Sequence, residues 1–211
     1  MEDLYFAKLV GKSVIAFAKK RIKIGIAADI GCGRGDLIEH LVNAGHDVFA
    51  VDQSPASVDQ VSKRFAGNPH FKGAALVSGK IELPDGSVDT AFILEVVEHL
   101  SDEALAASLN EAHRILRAGG HVVITTPNEE DLRRSETMCP DCGSVFHTMQ
   151  HVRCWTAQSL SRHVEGFGFR TVVAEPTILS PYSGPMAIAY RLAYAAVRRR
   201  RPNLVYIGRR V

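Results

Sequence analysis

Strong charge of one sign, long apolar runs and tryptophan are all scarce in this sequence of 211 residues. It has one Trp, 7% of its residues are aromatic, and 25 Lys and Arg residues nearly balance 23 Asp and Glu residues. A formal net charge of +2 excludes a general polyanion binder. No uninterrupted apolar run approaches the roughly 20 residues of a transmembrane helix. With 46% hydrophobic residues, the composition is that of a globular protein.

Cysteine is also scarce, and its distribution is uneven. Three of the four cysteines, Cys139, Cys142 and Cys154, fall within sixteen residues, and the first two form a Cys-x-x-Cys pair. In a cytoplasmic chain, which is our expectation here, this spacing favours metal binding or reactive thiols over disulfides.

The first two thirds of the chain alternate between two patterns. Short apolar runs that end at Gly, Asp or Pro predict strands, and stretches with helical spacing predict helices between them. The predicted strands are Ile24–Ile30, Asp47–Val51, Ala74–Val77, Thr90–Leu94 and Gly120–Thr125. The predicted helices are Asp36–Ala44, Pro55–Phe65 and Asp102–Leu116, the last of which we expect to end because of Gly119-Gly120. This alternation predicts an α/β fold with a doubly wound, mostly parallel sheet.

The flanking segments complete one expected domain over residues 1–211. An amphipathic helix is predicted within residues 1–23, and residues 128–154 are interpreted as an inserted polar loop that carries Cys and His. After a helix over Thr156–Gly166 and a strand near Phe169–Glu175, residues 176–211 hold a helix, Pro185–Arg201, and a last strand, Leu204–Gly208. We expect this last strand to join the sheet antiparallel. The run Arg198–Arg201 complements the helix dipole, with a weak contact to acidic lipid or nucleic acid as the alternative.

A glycine-rich loop is the sharpest local feature. The run Asp29-Ile30-Gly31-Cys32-Gly33-Arg34-Gly35 follows a predicted strand and opens a helix, and Asp52 ends the next strand. Glycines let the backbone approach a ligand closely, and a carboxylate at that distance can accept both hydroxyls of a ribose. The third glycine of the dinucleotide fingerprint is misplaced, which disfavours an NAD-dependent dehydrogenase. Asp29 suits a cationic ligand such as S-adenosylmethionine.

At this point the sequence resembles the class I S-adenosylmethionine-dependent methyltransferases, in order over about residues 24–175. Besides the glycine loop and Asp52, four further runs resemble segments of that family. They are Leu83-Pro84-Asp85-Gly86-Ser87-Val88-Asp89, Glu95-Val96-Val97-Glu98-His99-Leu100, Arg114-Ile115-Leu116-Arg117-Ala118-Gly119-Gly120 and, downstream, His151-Val152-Arg153 with Trp155-Thr156 and Gly166-Phe167-Gly168-Phe169.

The resemblance implies a Rossmann-like, seven-stranded sheet and a set of cofactor-binding residues. Gly31 and Gly33 would line the methionine end of S-adenosylmethionine, and Asp52 would hold the ribose. The implied contacts are completed by Asp29, Cys32, Gly35, Gln53 beside the adenine, Ile81, and the backbone near Leu94 and Glu95 for the amino group. Lys80 stands where many relatives have an Asp that binds the adenine amine, so that contact is not carried over.

The cysteines and histidines after residue 138 predict a structural zinc site. Zinc takes four nitrogen or sulfur ligands, and we assign Cys139, Cys142, His147 and His151, with Cys154 as the alternate fourth ligand. Some class I methyltransferases carry a similar Cys-Pro-x-Cys-Gly followed by His residues. Incidental polar residues in a surface loop and a redox dithiol are the alternatives.

A second metal hypothesis concerns Glu95, Glu98 and His99. A similar Glu-x-x-Glu-His binds a divalent metal in quinone-type O-methyltransferases and in small-RNA 2′-O-methyltransferases, and the RNA enzymes add a later His, here His151. The alternative is that these residues merely begin a helix at the cleft floor. His99 is the candidate catalytic base.

The function expected from the resemblance is transfer of a methyl group from S-adenosylmethionine to an oxygen or nitrogen of a small-molecule acceptor. The alternatives are an RNA 2′-O-methyltransferase and a non-catalytic member of the fold that binds the cofactor. The near-neutral charge makes nucleic acid the less favoured partner.

Overall fold

The computed structural model describes residues 6–198 and 201–211. The helices are α1 (Phe6–Lys19), α2 (Asp36–Asn43), α3 (Pro55–Arg64), α4 (Asp102–Ile115), α5 (Ala157–Glu165) and α6 (Pro185–Arg198). The strands are β1 (Ala27–Ile30), β2 (Val48–Asp52), β3 (Phe71–Leu76), β4 (Val88–Leu94), β5 (Leu116–Pro127), β6 (Glu136–Met138), β7 (Val145–His147), β8 (Phe169–Thr177) and β9 (Asn203–Arg210).

Seven of the strands form one twisted sheet in the order β3-β2-β1-β4-β5-β9-β8. The pairs β1–β2, β1–β4, β2–β3 and β4–β5 are parallel, whereas β9 is antiparallel to both β5 and β8. The predicted α/β, doubly wound sheet with an antiparallel last strand is confirmed.

Helices cover the sheet on both faces, which explains why its central strands are largely apolar. One core includes Leu105, Leu109 and Ile115 of α4, packed with residues of β4 and β5. The other includes Val14 and Ile15 of α1 together with apolar residues of α2. Asp29 of β1 and Thr125 of β5 are buried polar side chains, and both lie near the carboxyl ends of their strands.

Several predicted boundaries differ from the structure. The N-terminal helix predicted within residues 1–23 is found over Phe6–Lys19, and residues 1–5 of that prediction lie outside the described part of the chain. Gly119-Gly120 does not end α4, because the chain turns to extended backbone at Leu116 and both glycines lie within β5. A Cβ at Gly120 would stand 2.9 Å from the carbonyl oxygen of Asp89 on the neighbouring strand, so close strand packing explains that glycine.

The polar segment after β5 is more regular than its sequence indicates. It contains a 3₁₀ turn, Leu132–Ser135, and a two-stranded hairpin formed by β6 and β7. Thr156, which was predicted to begin the next helix, is its N-cap and forms a reciprocal capping box with Ser159. None of the helices in the described residues has the length and apolar character needed to cross a bilayer.

Candidate functional site

The strand order reverses between β1 and β4, and this point organises the site. In doubly wound sheets, ligands bind outside the carboxyl ends of the strands where the order reverses. The glycine loop follows β1 and Glu95 follows β4, so both lie at the reversal. A cleft at this place is lined by Gly31, Cys32, Gly33 and Arg34, by Leu94–Val96, and by Phe6 and Ala7 from α1.

The glycine loop adopts backbone conformations that favour glycine. Gly31, Gly33 and Gly35 have φ of 81°, 48° and 78°. A Cβ at Gly31 would lie 2.7 Å from Cγ2 of Val96, and one at Gly35 would lie 2.8 Å from the ring of Phe65. A Cβ at Gly33 would meet nothing within 4 Å, so packing within the protein does not require glycine there. The open space beside Gly33 leaves room for a ligand against the backbone.

Asp52 connects the end of β2 to the glycine loop. Its Oδ2 accepts a hydrogen bond from the Gly33 N–H at 2.8 Å, and its Oδ1 accepts one from the Ser54 N–H at 2.8 Å. A carboxylate has about four acceptor positions, so two backbone bonds leave capacity for two ribose hydroxyls. Asp52 is only 8% exposed, and hydrogen bonds to a buried carboxylate are stronger than those to one in water.

The loop region is strongly acidic. Asp29 is buried, and burial followed by the neighbouring Asp52 and Asp36 carboxylates raises the pKa of Asp29 to about 7. Burial, with Asp29 and Asp52 as smaller causes, also raises the pKa of the Cys32 thiol far above its ordinary value. Cys32 is therefore a small buried apolar residue with no thiolate character at neutral pH. A cationic ligand would relieve the repulsion among the three carboxylates.

The end of β4 places a strained residue on the opposite side of the cleft. Glu95 has φ of 51°, which is rare for a residue with a Cβ and is found preferentially at functional sites. Its N–H donates to the Thr125 carbonyl at 3.0 Å. The Glu95 N–H is therefore engaged within the protein, and Leu94 beside it lines the cleft.

Two residues predicted to be near the adenine differ in their surroundings. Gln53 is exposed directly after Asp52. Ile81 is buried and lines a second cleft with its neighbours from Ser78 to Pro84. Its N–H already donates to Glu111 at 2.6 Å, and its carbonyl accepts from Arg114 at 2.8 Å. A cofactor contact to the Ile81 N–H would have to replace the bond to Glu111.

A second polar cluster lies beside the first cleft. The structure brings ligand atoms of Glu98, His99 and His151 within 4.8 Å of one another. Glu98 is 1% exposed, and its Oε2 accepts from the Thr126 hydroxyl at 3.0 Å. Glu95 is not part of this group, so the structure assembles Glu98 and His99 of the predicted metal motif, together with His151.

Glu130 supports this cluster from the end of β5. Its Oε2 lies 2.5 Å from Nδ1 of His151, which leaves Nε2 as the nitrogen that can serve a metal. Its Oε1 lies 3.5 Å from Nε2 of His147. His147 Nδ1 accepts from the N–H groups of Met149 and His151, so Nε2 is the ring nitrogen that faces Glu130. The ring of His147 stacks against the ring of His151. His147 thus helps to orient both Glu130 and His151.

The predicted zinc ligand set is not assembled. Cys139 and Cys142 lie at the tip of the β6–β7 hairpin, where the Cys139 N–H donates to Ser144 and the Gly143 N–H donates to Cys139. Among the described residues, no group of three candidate ligand atoms within 4.8 Å of one another includes a cysteine.

The physical reason is the hairpin itself. His147 pairs with Glu136 at its base, three residues from Cys139, and a strand rises about 3.3 Å per residue. Of the four predicted zinc ligands, Cys139 and Cys142 lie together at the hairpin tip, whereas His147 and His151 lie with carboxylates, so their assignment to one zinc stays a prediction. Cys154, the alternate ligand, is exposed. Hydrogen bonding to Ser144 lowers the pKa of the Cys142 thiol.

Sequence reasoning did not single out Glu130 or Thr126. Glu130 and Thr126 stand at the carboxyl end of β5, the strand next to β4, and that topology is the signal by which they are found. Glu129 and Gln150, like Glu95, have positive φ. The residue before Glu130 and the residue before His151 therefore both have left-handed backbone.

Comparisons with known proteins agree with this geometry. Residues 28–124 match the family described as a methyltransferase domain. The chain is 33% identical over 141 residues to a probable S-adenosylmethionine-dependent methyltransferase of Mycolicibacterium smegmatis, covering 67% of this chain and 50% of that one. It is 33% identical over 103 residues to the ubiquinone biosynthesis O-methyltransferase of Alkalilimnicola ehrlichii, covering 47% and 40%. The chain thus spans half or less of the length of these relatives.

A solved structure shares the fold. The 1,6-didemethyltoxoflavin-N1-methyltransferase of Burkholderia thailandensis, with bound 1,6-didemethyltoxoflavin and S-adenosylhomocysteine, superposes with a TM-score of 0.67 at 17% identity, over 100% of this chain and 82% of that one. Sequence and topology therefore agree on the class I S-adenosylmethionine-dependent methyltransferase fold.

Proposed function

We propose that this chain, which has the class I methyltransferase fold, transfers the methyl group of S-adenosylmethionine to an oxygen atom of a small-molecule acceptor. The observation that carries the proposal is the glycine loop bonded to Asp52 at the point where the strand order reverses. The Alkalilimnicola ehrlichii relative is an O-methyltransferase, which supports oxygen over nitrogen as the acceptor atom.

The residues of the loop fit the donor chemically. Asp29, Asp36 and Asp52 form an acidic surrounding, and S-adenosylmethionine carries a sulfonium and an ammonium. The backbone beside Gly33 is open, and the Leu94 carbonyl can accept from the ammonium. The sulfonium activates its own methyl group, so the protein contributes alignment and exclusion of water and needs no covalent nucleophile.

On the acceptor side, Glu98, His99 and His151 would hold a divalent transition-metal ion. Two imidazoles and a carboxylate suit such an ion, since Glu98 and His151 are buried, His99 is half-buried and the Glu130 carboxylate supports His151. The metal would lower the pKa of a bound acceptor hydroxyl. Without metal, His99 is the group in this cluster that would take the proton, and Thr126 keeps Glu98 in place.

Two measurements test the proposal. Titration calorimetry should give micromolar affinity for S-adenosylmethionine and no heat with NAD. Donor labelled on its methyl group should then transfer label to catechols and related vicinal oxygens, more than to amines or to a total RNA pool. Chelation with EDTA should abolish this transfer, and added divalent metal should restore it.

The outcomes separate the parts of the proposal. Binding of NAD in place of S-adenosylmethionine would refute the donor assignment. Transfer to RNA alone would refute the small-molecule acceptor. Transfer to vicinal oxygens that is unaffected by EDTA would refute the metal and leave His99 as the base.

A further inference from the structure

Helix α6 is apolar but packs against little of the protein. Of its residues before Arg198, only Ala187 is buried, and Tyr190 and Tyr194 are half-buried. Ile188 is 61% exposed and Leu192 67% exposed, and they lie one turn apart on the same side of the helix. Exposed apolar side chains at this spacing mark a face that contacts something other than water.

Two segments of the sequence, one holding α1 and the other α6, carry charges of one sign. Residues 4–28 and 176–201 together hold 11 of the 25 basic residues and none of the 23 acidic residues of the chain. Four of these cations are Arg198, the last residue of α6, and Arg199–Arg201, which follow it in the sequence. Arg21 pairs with Glu175 at 3.0 Å.

The two cationic segments adjoin in space. Arg191 of α6 donates to the Ser13 hydroxyl of α1 at 3.0 Å and to the Ile178 carbonyl at 3.1 Å. On α1, Leu9, Lys12, Ala16 and Lys20 recur at helical spacing and are exposed. The first residues of the same helix line the cofactor cleft.

We propose that α6 and the exposed side of α1 dock this protein on an anionic membrane surface. Helices of this type lie at the interface with apolar side chains among the acyl chains and cations at the headgroups, where each Lys or Arg contributes about 1 kcal/mol. A second copy of the chain fits less well, since two surfaces that carry only cations repel each other. A nucleic acid would use the arginines but would leave Ile188 and Leu192 in water.

Vesicle sedimentation tests the docking without requiring donor or acceptor. The whole protein should sediment with vesicles of equal parts phosphatidylcholine and phosphatidylglycerol at low salt, and weakly with phosphatidylcholine alone. Ile188→Glu combined with Leu192→Glu should lower the partition coefficient at least about tenfold. Arg199→Gln combined with Arg200→Gln should lower it roughly fivefold for each charge removed.

Val145→Glu is the matched control, because Val145 is 62% exposed but lies on the β6–β7 hairpin. It should sediment like the unmodified protein, and all variants should keep the same circular dichroism spectrum. Failure to sediment with anionic vesicles would overturn the proposal. Undiminished sedimentation of the Ile188/Leu192 variant would overturn the docking of α6 on the membrane. Dimers of the unmodified protein that dissociate in this variant would overturn the proposal in favour of a second copy.

Discussion

The donor side and the acceptor side of the cleft are built differently. The donor side comes from one short stretch, residues 29–36, and from Asp52 at the next strand end. The second cluster comes from three separate segments that contribute Glu98 and His99, then Glu130, then His147 and His151. The family match covers 28–124 and so includes the donor side but ends before Glu130. On our proposal, a local turn would bind the common donor, while segments that are distant in the sequence would specify the acceptor.

The largest expected effect breaks the acceptor side alone. Glu98→Gln combined with His151→Gln should remove the metal and lower methyl transfer at least about a hundredfold, because two of three ligands are lost. Donor affinity should not change. Cys139→Ser with Cys142→Ser is the control and should keep the metal, as measured by elemental analysis after gel filtration. Metal that is lost from the cysteine variant but retained by the Glu98/His151 variant would place the metal at the cysteines instead.

A smaller effect isolates the donor side. Asp52→Ala should weaken binding of S-adenosylmethionine at least about tenfold, since a buried charged acceptor for the ribose and for the Gly33 N–H disappears. Asp59→Ala, at an exposed acid that pairs with Lys63, should bind normally. Calorimetry measures both. Equal affinities would remove Asp52 from the donor site.

The pH dependence sharpens the electrostatic part of the comparison. Asp29 has a folded pKa of about 7 against 3.8 for the free group, so its protonated form stabilises the fold. That contribution is complete below pH 3.8 and is lost as the pH rises to about 7, at most roughly 4 kcal/mol.

Two measurements follow from this sign. Asp29→Asn should be more stable to urea than the unmodified protein above pH 7 and equally stable near pH 4. The affinity for S-adenosylmethionine should rise by up to about tenfold per pH unit as the pH approaches 7, because the cationic ligand binds more tightly when Asp29 is ionised. Affinity for the neutral S-adenosylhomocysteine should depend less on pH. Identical profiles for the two ligands would place the sulfonium away from Asp29.

The smallest expected effect compares two glycines of similar backbone. Gly33 and Gly45 both have positive φ, and a Cβ at either would meet nothing within 4 Å. Alanine at each should cost about 1 kcal/mol of stability. Only Gly33→Ala should also weaken donor binding, by severalfold, since its new methyl group would face the cleft. Equal binding by both variants would show that the donor does not approach Gly33.

The sequence allowed the donor side to be predicted because its signals are local. A strand, three glycines, a helix and an acid about twenty residues later specify a turn and a strand end wherever they occur. The β6–β7 hairpin was missed because apolar residues within 128–153 recur neither with the period of two that indicates a strand nor with the period of 3.6 that indicates a helix. The zinc set was predicted from spacing along the chain, which does not reveal that a hairpin separates Cys139 from His147. Glu130 could be found only after β5 was placed beside β4.

The separation of charge between α1, α6 and the rest of the molecule affects how the protein behaves on ion exchangers. Outside residues 4–28 and 176–201 there are 14 basic and 23 acidic residues, an excess of nine carboxylates. The net charge of +2 is therefore an average over two oppositely charged regions. We expect retention on both cation and anion exchange resins at low ionic strength, with elution from each by modest salt as screening shortens the reach of either region.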